Sequence, residues 1–321
     1  MIYYTPVEKK RGYFFDMKTL TGLLLGLAAT AAWGSFYVAG RWLFGEEGDK
    51  LNTFLFNFLR FFMAALTLSG LLFKKSNREK FKQAIREDWK SFLLISLIGI
   101  VSESYLVFYA LNFTTASRCS LMANFSPVAT VILAYFLLKE KINKAGVLGM
   151  LTGFAGIILA GSSRGGDVYA ESSLRTLIGD GMALASGFCW AYFTVAGVKV
   201  TEKYGSPLCM LIAFAFGTLL MAPVLLFVPV SEIAAIPPRI WGGMVYTGVI
   251  TLAFANVCWY GALRYLKAGM LGAFGYLSAA ITFTLSMILL KEKFSLPFII
   301  ALFLIVGGMS LMMKQNKTQE K

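Results

Sequence analysis

The sequence predicts an all-α polytopic membrane protein: ten transmembrane helices arranged as two inverted five-helix repeats. Three observations point there. The 321 residues are 57% hydrophobic and only 15% charged, where a soluble domain carries about a quarter charged residues. Apolar runs of about 20 residues, enough to cross roughly 30 Å of hydrocarbon, recur along the chain. One stretch also occurs twice. Ala110 to Gly156 reads as two apolar helices joined by Leu137-Leu138-Lys139-Glu140-Lys141. Ala262 to Gly308 repeats it at a constant offset of 152, with Leu289-Leu290-Lys291-Glu292-Lys293 on the hairpin, Ala268 on Ala116 and Ala280 on Val128. A repeat of this length sets the architecture before any single residue does.

Taken in order, residues 1–18 form a polar tail with Lys9, Lys10, Arg11 and Lys18. The first five-helix repeat (19–161) holds expected spans at 20–43, 52–73, 91–111, 117–138 and 144–161. The first apolar run is too long for a signal-peptide core and lacks a small-residue cleavage pattern, so it is expected to stay as a span. Between the second and third spans, Phe81, Ile85 and Trp89 recur every four residues among Arg78, Lys82, Arg86 and Lys90. That spacing fits a basic amphipathic helix on an anionic membrane face, or equally a solvated loop helix.

Residues 162–176, opening on Ser162-Ser163-Arg164-Gly165-Gly166-Asp167, are an extracytoplasmic linker. The second repeat (177–313) holds spans at 177–199, 207–228, 240–263, 268–290 and 296–313, and 314–321 is the second tail. The halves also match in their first spans: Trp33, Phe36, Val38, Ala39 and Gly40 meet Trp190, Phe193, Val195, Ala196 and Gly197 at offset 157.

With the first tail inside, Lys and Arg divide 21 to 8 in favour of the cytoplasmic segments, Arg60 lying within a span. Both termini are therefore expected in the cytoplasm, with the chain in the cell membrane. Five spans per half is an odd number, so the second half must sit upside down relative to the first. Inverted repeats of this kind build alternating-access carriers with a site where the halves meet.

Composition closes other routes. The net charge of +13 is what cytoplasmic loops of a membrane protein give, so no nucleic-acid partner is implied. Cys119, Cys189, Cys209 and Cys258 have no CxxC spacing and read as small core hydrophobes, with no metal site or disulfide framework. The chain has no histidine, the commonest acid/base group and metal ligand. No GxxxxGK[ST] is present, so energy must come from gradients or a partner. No cofactor is expected.

Several motifs then resemble a known family. Trp33-Gly34-Ser35-Phe36-Tyr37-Val38-Ala39 and Arg60-Phe61-Phe62-Met63-Ala64-Ala65 are similar to the first two spans of the EamA family in the drug/metabolite transporter superfamily. So is the run Tyr109-Ala110-Leu111, Thr115-Ala116-Ser117, Ser120-Leu121, Pro127-Val128 and Leu137 to Lys141. The resemblance covers both halves. It implies a ten-span carrier of small metabolites, often amino acids or related compounds and frequently an exporter, with the fourth and ninth spans lining a central cavity. The small multidrug relatives use a glutamate in their first span; this chain has none there.

Candidate residues follow from what is costly in a bilayer. Glu103 falls near mid-depth, where a carboxylate costs at least about 2.5–3.5 kcal/mol unless paired, hydrated or protonated. It is a candidate for contact with a substrate amine and for proton coupling. Arg60, the second buried charge, has the charge to attract a substrate carboxylate but is expected to be a structural anchor that snorkels outward. On the fourth span Asn124 and the possible kink Pro127 share a polar face with Ser117 and Ser120; Asn124 has Tyr276 as its repeat partner. Trp33 and Trp190 lie too deep for interfacial anchors, and with Trp259 they either pack the core or form walls suited to aromatic or quaternary-ammonium solutes. Tyr37 and Asn256 complete the substrate-binding set. The partners implied are a small-molecule solute and the lipid bilayer, for a monomer or homodimer.

The sequence thus favours a secondary carrier exporting an amino acid, amine or related compound. Alternatives are a channel or receptor-like binding protein of the same architecture, or an importer of a quaternary amine or sugar. An enzyme is not expected, since the chain offers no catalytic constellation.

Overall fold

The computed structural model describes residues 17–44, 52–110, 112–114, 119, 122–162, 174–290 and 296–319. All regular structure among them is helical. The elements are α1 (Met17–Phe44), α2 (Thr53–Ser69), α3 (Lys75–Ser96), α4 (Glu103–Ala110), α5 (Ser126–Leu133), α6 (Lys144–Ser162) and α7 (Leu174–Tyr204). They continue as α8 (Ser206–Met221), α9 (Val230–Ala234), α10 (Pro238–Tyr246), α11 (Ala255–Ala262), α12 (Ala268–Gly272), α13 (Phe274–Leu290) and α14 (Leu296–Gln319).

Six helical stretches are long and apolar enough to cross a membrane: Met17–Phe36, Phe54–Phe73, Lys75–Val107, Leu174–Tyr204, Ser206–Leu226 and Pro238–Ala262. Shorter apolar helices at Ser126–Leu138, Lys144–Leu159, Ala268–Thr282 and Ile299–Met312 stand where the fourth, fifth, ninth and tenth spans are expected. The third span differs from expectation: it is not separate from the basic segment before it. One helix runs through both, broken at Asp88, whose φ of −123° and ψ of 17° leave the helical region.

Local chemistry sets the boundaries. The Asn52 side chain accepts the Phe54 and Leu55 amides at 3.0 and 3.3 Å, capping two of the donors that a helix start leaves open. Gly205, at φ 83°, makes the turn from α7 into α8, a conformation that costs glycine little. Lys139, at φ 58°, closes the π turn Ala134–Leu138.

Matching spans of the two halves pack in reciprocal pairs. Helix α1 lies on α13, and its counterpart α7 lies on α5; α2 lies on α8, and α6 on α14. The α6–α14 seam is close: a Cβ at Gly149 would meet the Gly308 carbonyl oxygen at 2.5 Å. Without a hydrophobic force between helices in lipid, such small-residue seams let backbones approach and gain dispersion contact. The main core runs through α2, α3, α7, α8 and α11, with Phe92, Phe193, Phe214, Met210, Ile212 and Tyr260 fully buried.

Candidate functional site

Trp33 and Trp190, which occupy matching positions in the halves, meet edge-on with ring centres 5.0 Å apart. Trp259 completes a triangle, 5.0 Å from Trp33 and 6.1 Å from Trp190. Edge-on and tilted contacts suit the ring quadrupoles. Two of the indole N–H groups are used internally: Trp33 Nε1 donates to the Thr251 carbonyl at 2.9 Å, and Trp259 Nε1 to Thr194 Oγ1 at 3.1 Å. Trp259 is fully buried and backs the cluster, whereas Trp33 and Trp190 are half-buried. Phe193 extends the cluster from Trp190 to Tyr260, whose hydroxyl donates to the Phe193 carbonyl at 2.7 Å.

Arg60 and Glu103 stand on helices that touch, α2 and α4. The Arg60 guanidinium lies over the rings of Phe36, at 4.8 Å, and Phe56, at 5.1 Å, and ring faces stabilise a cation removed from water. Glu103, half-buried, opens α4, which touches the α2 helix that carries Arg60. Ser104 Oγ donates to Glu103 Oε2 at 3.3 Å. The helix that Glu103 opens, α4, packs against α7. Glu103 directly follows the π turn Leu97–Ser102, and the apolar stretch Pro238–Ala262 has its own π turn at Thr247–Phe254, which holds the carbonyl bonded by Trp33. Such widened turns recur at functional sites in helices.

The remaining expected residues are distributed differently. Asn124 is half-buried in a turn with Phe125, ahead of α5. Pro127 stands in the first turn of α5, where its missing N–H would be unpaired in any case. The interruption therefore precedes it, and Pro127 starts a helix instead of kinking one. Tyr276 belongs to a separate apolar cluster with Ile157, Ala280 and Ile305, its ring lying over Gly153. The Asn256 amide donates to the Leu252 carbonyl of its own helix at 2.9 Å. The Tyr37 side chain lies outside the described residues.

A further feature joins the halves at the hairpin. Glu140 accepts the Ala268 amide on Oε1 at 2.9 Å and the Gly269 amide on Oε2 at 3.0 Å. One carboxylate thus covers two donors at the start of the ninth span, and a negative charge suits a helix start. The cleft beside it is lined by Val131, Lys141, Lys267 and Met270. Sequence reasoning singled out the hairpin but not this contact. The Thr251 and Phe193 carbonyls and the Thr194 hydroxyl were missed as acceptors, because a backbone or hydroxyl acceptor has no sequence signature. For Glu140 a signal existed: a charged residue repeated between two apolar helices.

The sequence profile of the EamA-like transporter family matches residues 20–162 and again 177–314. An uncharacterized transporter of Archaeoglobus fulgidus is 30% identical over 86% of this chain and 91% of its own length. The uncharacterized transporter YetK of Bacillus subtilis is 25% identical over 98% and 93%. A crystal structure aligns over 94% of this chain and 99% of its own with a TM-score of 0.77 and 21% identity, a likeness of fold.

Proposed function

The chain belongs to the EamA-like transporter family, and from that premise we propose that it is a secondary carrier working by alternating access between two inverted five-span halves. The observation that carries this is the meeting of Trp33 and Trp190, 5.0 Å apart. Residues related by an internal two-fold touch each other only near its axis, and carriers of this build bind solute where the halves meet. In this reading Arg60 and Glu103 present opposite charges to the solute.

The solute in this reading is a small metabolite: an amino acid, an amine or a related compound, moved outward across the cell membrane. Glu103 receives an ammonium group or a proton, Arg60 attracts a carboxylate, and the half-buried faces of Trp33 and Trp190 take the apolar part. Ten spans, cytoplasmic termini and closure of the cytoplasmic end by Glu140 belong to the same reading. The Glu140 contact ties the first half to the second, and rocking must break it.

Counterflow in liposomes made with the purified chain tests this. Vesicles preloaded with an amino acid or amine should take up the labelled compound faster than empty ones. Glu103→Gln should remove the pH dependence of that exchange. Uptake without trans-stimulation for every compound tried would indicate a channel or a binding protein instead.

A further inference from the structure

The basic segment between the second and third spans does not use its apolar face as an interfacial helix would. Ala84 is fully buried, and Phe81 and Ile85 pack against the protein core. At the start of α3, Arg78 Nε donates to the Leu72 carbonyl at 2.5 Å and Asn77 Nδ2 to the Leu71 carbonyl at 2.8 Å, folding the helix back over the end of the second span. At its far end the helix continues past Asp88 into the third span. Both ends are therefore held where spans enter the membrane, and the helix between them runs along that face.

What α3 leaves outside is a row of cations. Lys75, Arg78, Lys82 and Arg86 are all exposed and follow one another at spacings of three, four and four, within about 80° of the circumference at 3.6 residues per turn. Exposed aromatic rings bracket the row: Phe73, 85% accessible, before it and Trp89, 43% accessible, beyond the break. Of the nearby acids, Glu87 and Asp88 are engaged by Lys203 of α7 at 2.9 and 2.7 Å, Glu87 also meeting Arg86 at 3.6 Å; Glu79 borders the row. A cation row at headgroup height, with a tryptophan at its end, has the chemistry of a site for anionic lipid.

We propose that Lys75, Arg78, Lys82 and Arg86 form a binding surface for the phosphate groups of anionic phospholipids, with Trp89 seated at the headgroup boundary. Arg78 shares its charge with the carbonyls it bonds, and Arg86 meets Glu87 of its own helix at 3.6 Å; Lys75, Lys82 and Arg86 are the binding cations, and changing them removes no carbonyl contact of the Arg78 kind. Through Lys203 the surface is joined to the second half of the chain.

Thermal unfolding of the purified full chain in maltoside micelles, with added phosphatidylglycerol or phosphatidylcholine, tests the proposal. Phosphatidylglycerol should raise the melting temperature of the wild type and phosphatidylcholine should not. In the triple variant Lys75→Gln, Lys82→Gln, Arg86→Gln the apparent affinity for phosphatidylglycerol should fall on the order of a hundredfold. Lys141→Gln with Lys144→Gln, in the hairpin, should leave it unchanged. Independently of those variants, dibrominated phosphatidylglycerol should quench a fluorescence component that Trp89→Phe removes, and dibrominated phosphatidylcholine should quench it less. Equal stabilisation by the two lipids, an unaltered triple variant, or the same gain from inorganic phosphate would each overturn the assignment.

Discussion

Glu140 accepts the backbone N–H of Ala268, 128 residues further along the chain, at 2.9 Å. Its second oxygen takes Gly269 at 3.0 Å, so a single side chain of the first half closes onto the helix start of the second. The repeat equivalents, Glu292 with Ala116 and Ser117, lie outside the described residues. Bonds to a charged acceptor contribute about 1.5–3 kcal/mol each, less where water enters.

From this contact, Glu140→Ala is expected to destabilise the purified protein by about 2–3 kcal/mol, with Glu140→Gln intermediate because it keeps one acceptor. Met270, buried at 7% exposure beside the contact, supplies a conformational readout. A cysteine placed there should react with a membrane-impermeant maleimide faster when Glu140 is alanine. Unchanged labelling would remove Glu140 as the closure.

The seam between α6 and α14 gives a steric prediction. A Cβ at Gly149 would approach the Gly308 carbonyl oxygen at 2.5 Å and the Met312 amide at 2.9 Å, both backbone atoms that cannot rotate aside. Gly149→Val is therefore expected to cost at least about 1–3 kcal/mol, the usual range for overpacking. Gly242 has no neighbour within 4 Å of its would-be Cβ, so Gly242→Ala should be neutral or slightly stabilising. Comparable melting temperatures for both variants would contradict the close seam.

These contacts also show what could be read from the chain beforehand. Helical spans, their order and the doubled unit follow from run length and a constant offset, because every span must bury a similar apolar length and the copies share ancestry of pattern. The pairing of Trp33 with Trp190 was half legible: the offset matched them, but only packing brings them together. The contact of α2, which carries Arg60, with α4, which Glu103 opens, was not, since 43 positions of sequence separate the two charges and only packing brings the helices together. Tyr276 shows the limit of transferring a role by repeat position. Its partner Asn124 is in a turn, whereas Tyr276 fills the space over Gly153. The π turns at Leu97–Ser102 and Thr247–Phe254 depend on how neighbouring helices crowd, and no residue type announces them.

Trp33 links α1 to the π turn of the eighth span through its indole N–H on the Thr251 carbonyl at 2.9 Å. Phenylalanine preserves the ring contacts but has no donor. Trp33→Phe should lower stability by about 1–2 kcal/mol, the cost of leaving a buried carbonyl short of one partner. Ligand-induced fluorescence changes reported by the cluster should shrink in the same variant. A variant as stable as the wild type would mean that water replaces the indole.

Arg60 and Glu103 give a sign test that single substitutions cannot. The guanidinium is held over Phe36 and Phe56 at 4.8 and 5.1 Å, and its helix α2 touches α4, which Glu103 opens. Where two opposite charges on touching helices interact in a low-dielectric setting, removing one costs the other its partner. Arg60→Met and Glu103→Gln should therefore each destabilise the protein, while the double variant should lose less than the sum, with a coupling of about 1–3 kcal/mol. Chemical unfolding of the four proteins in the same detergent measures that coupling. Strict additivity would show that the two charges are held independently, and would leave Arg60 as a cation fixed by its aromatic neighbours alone.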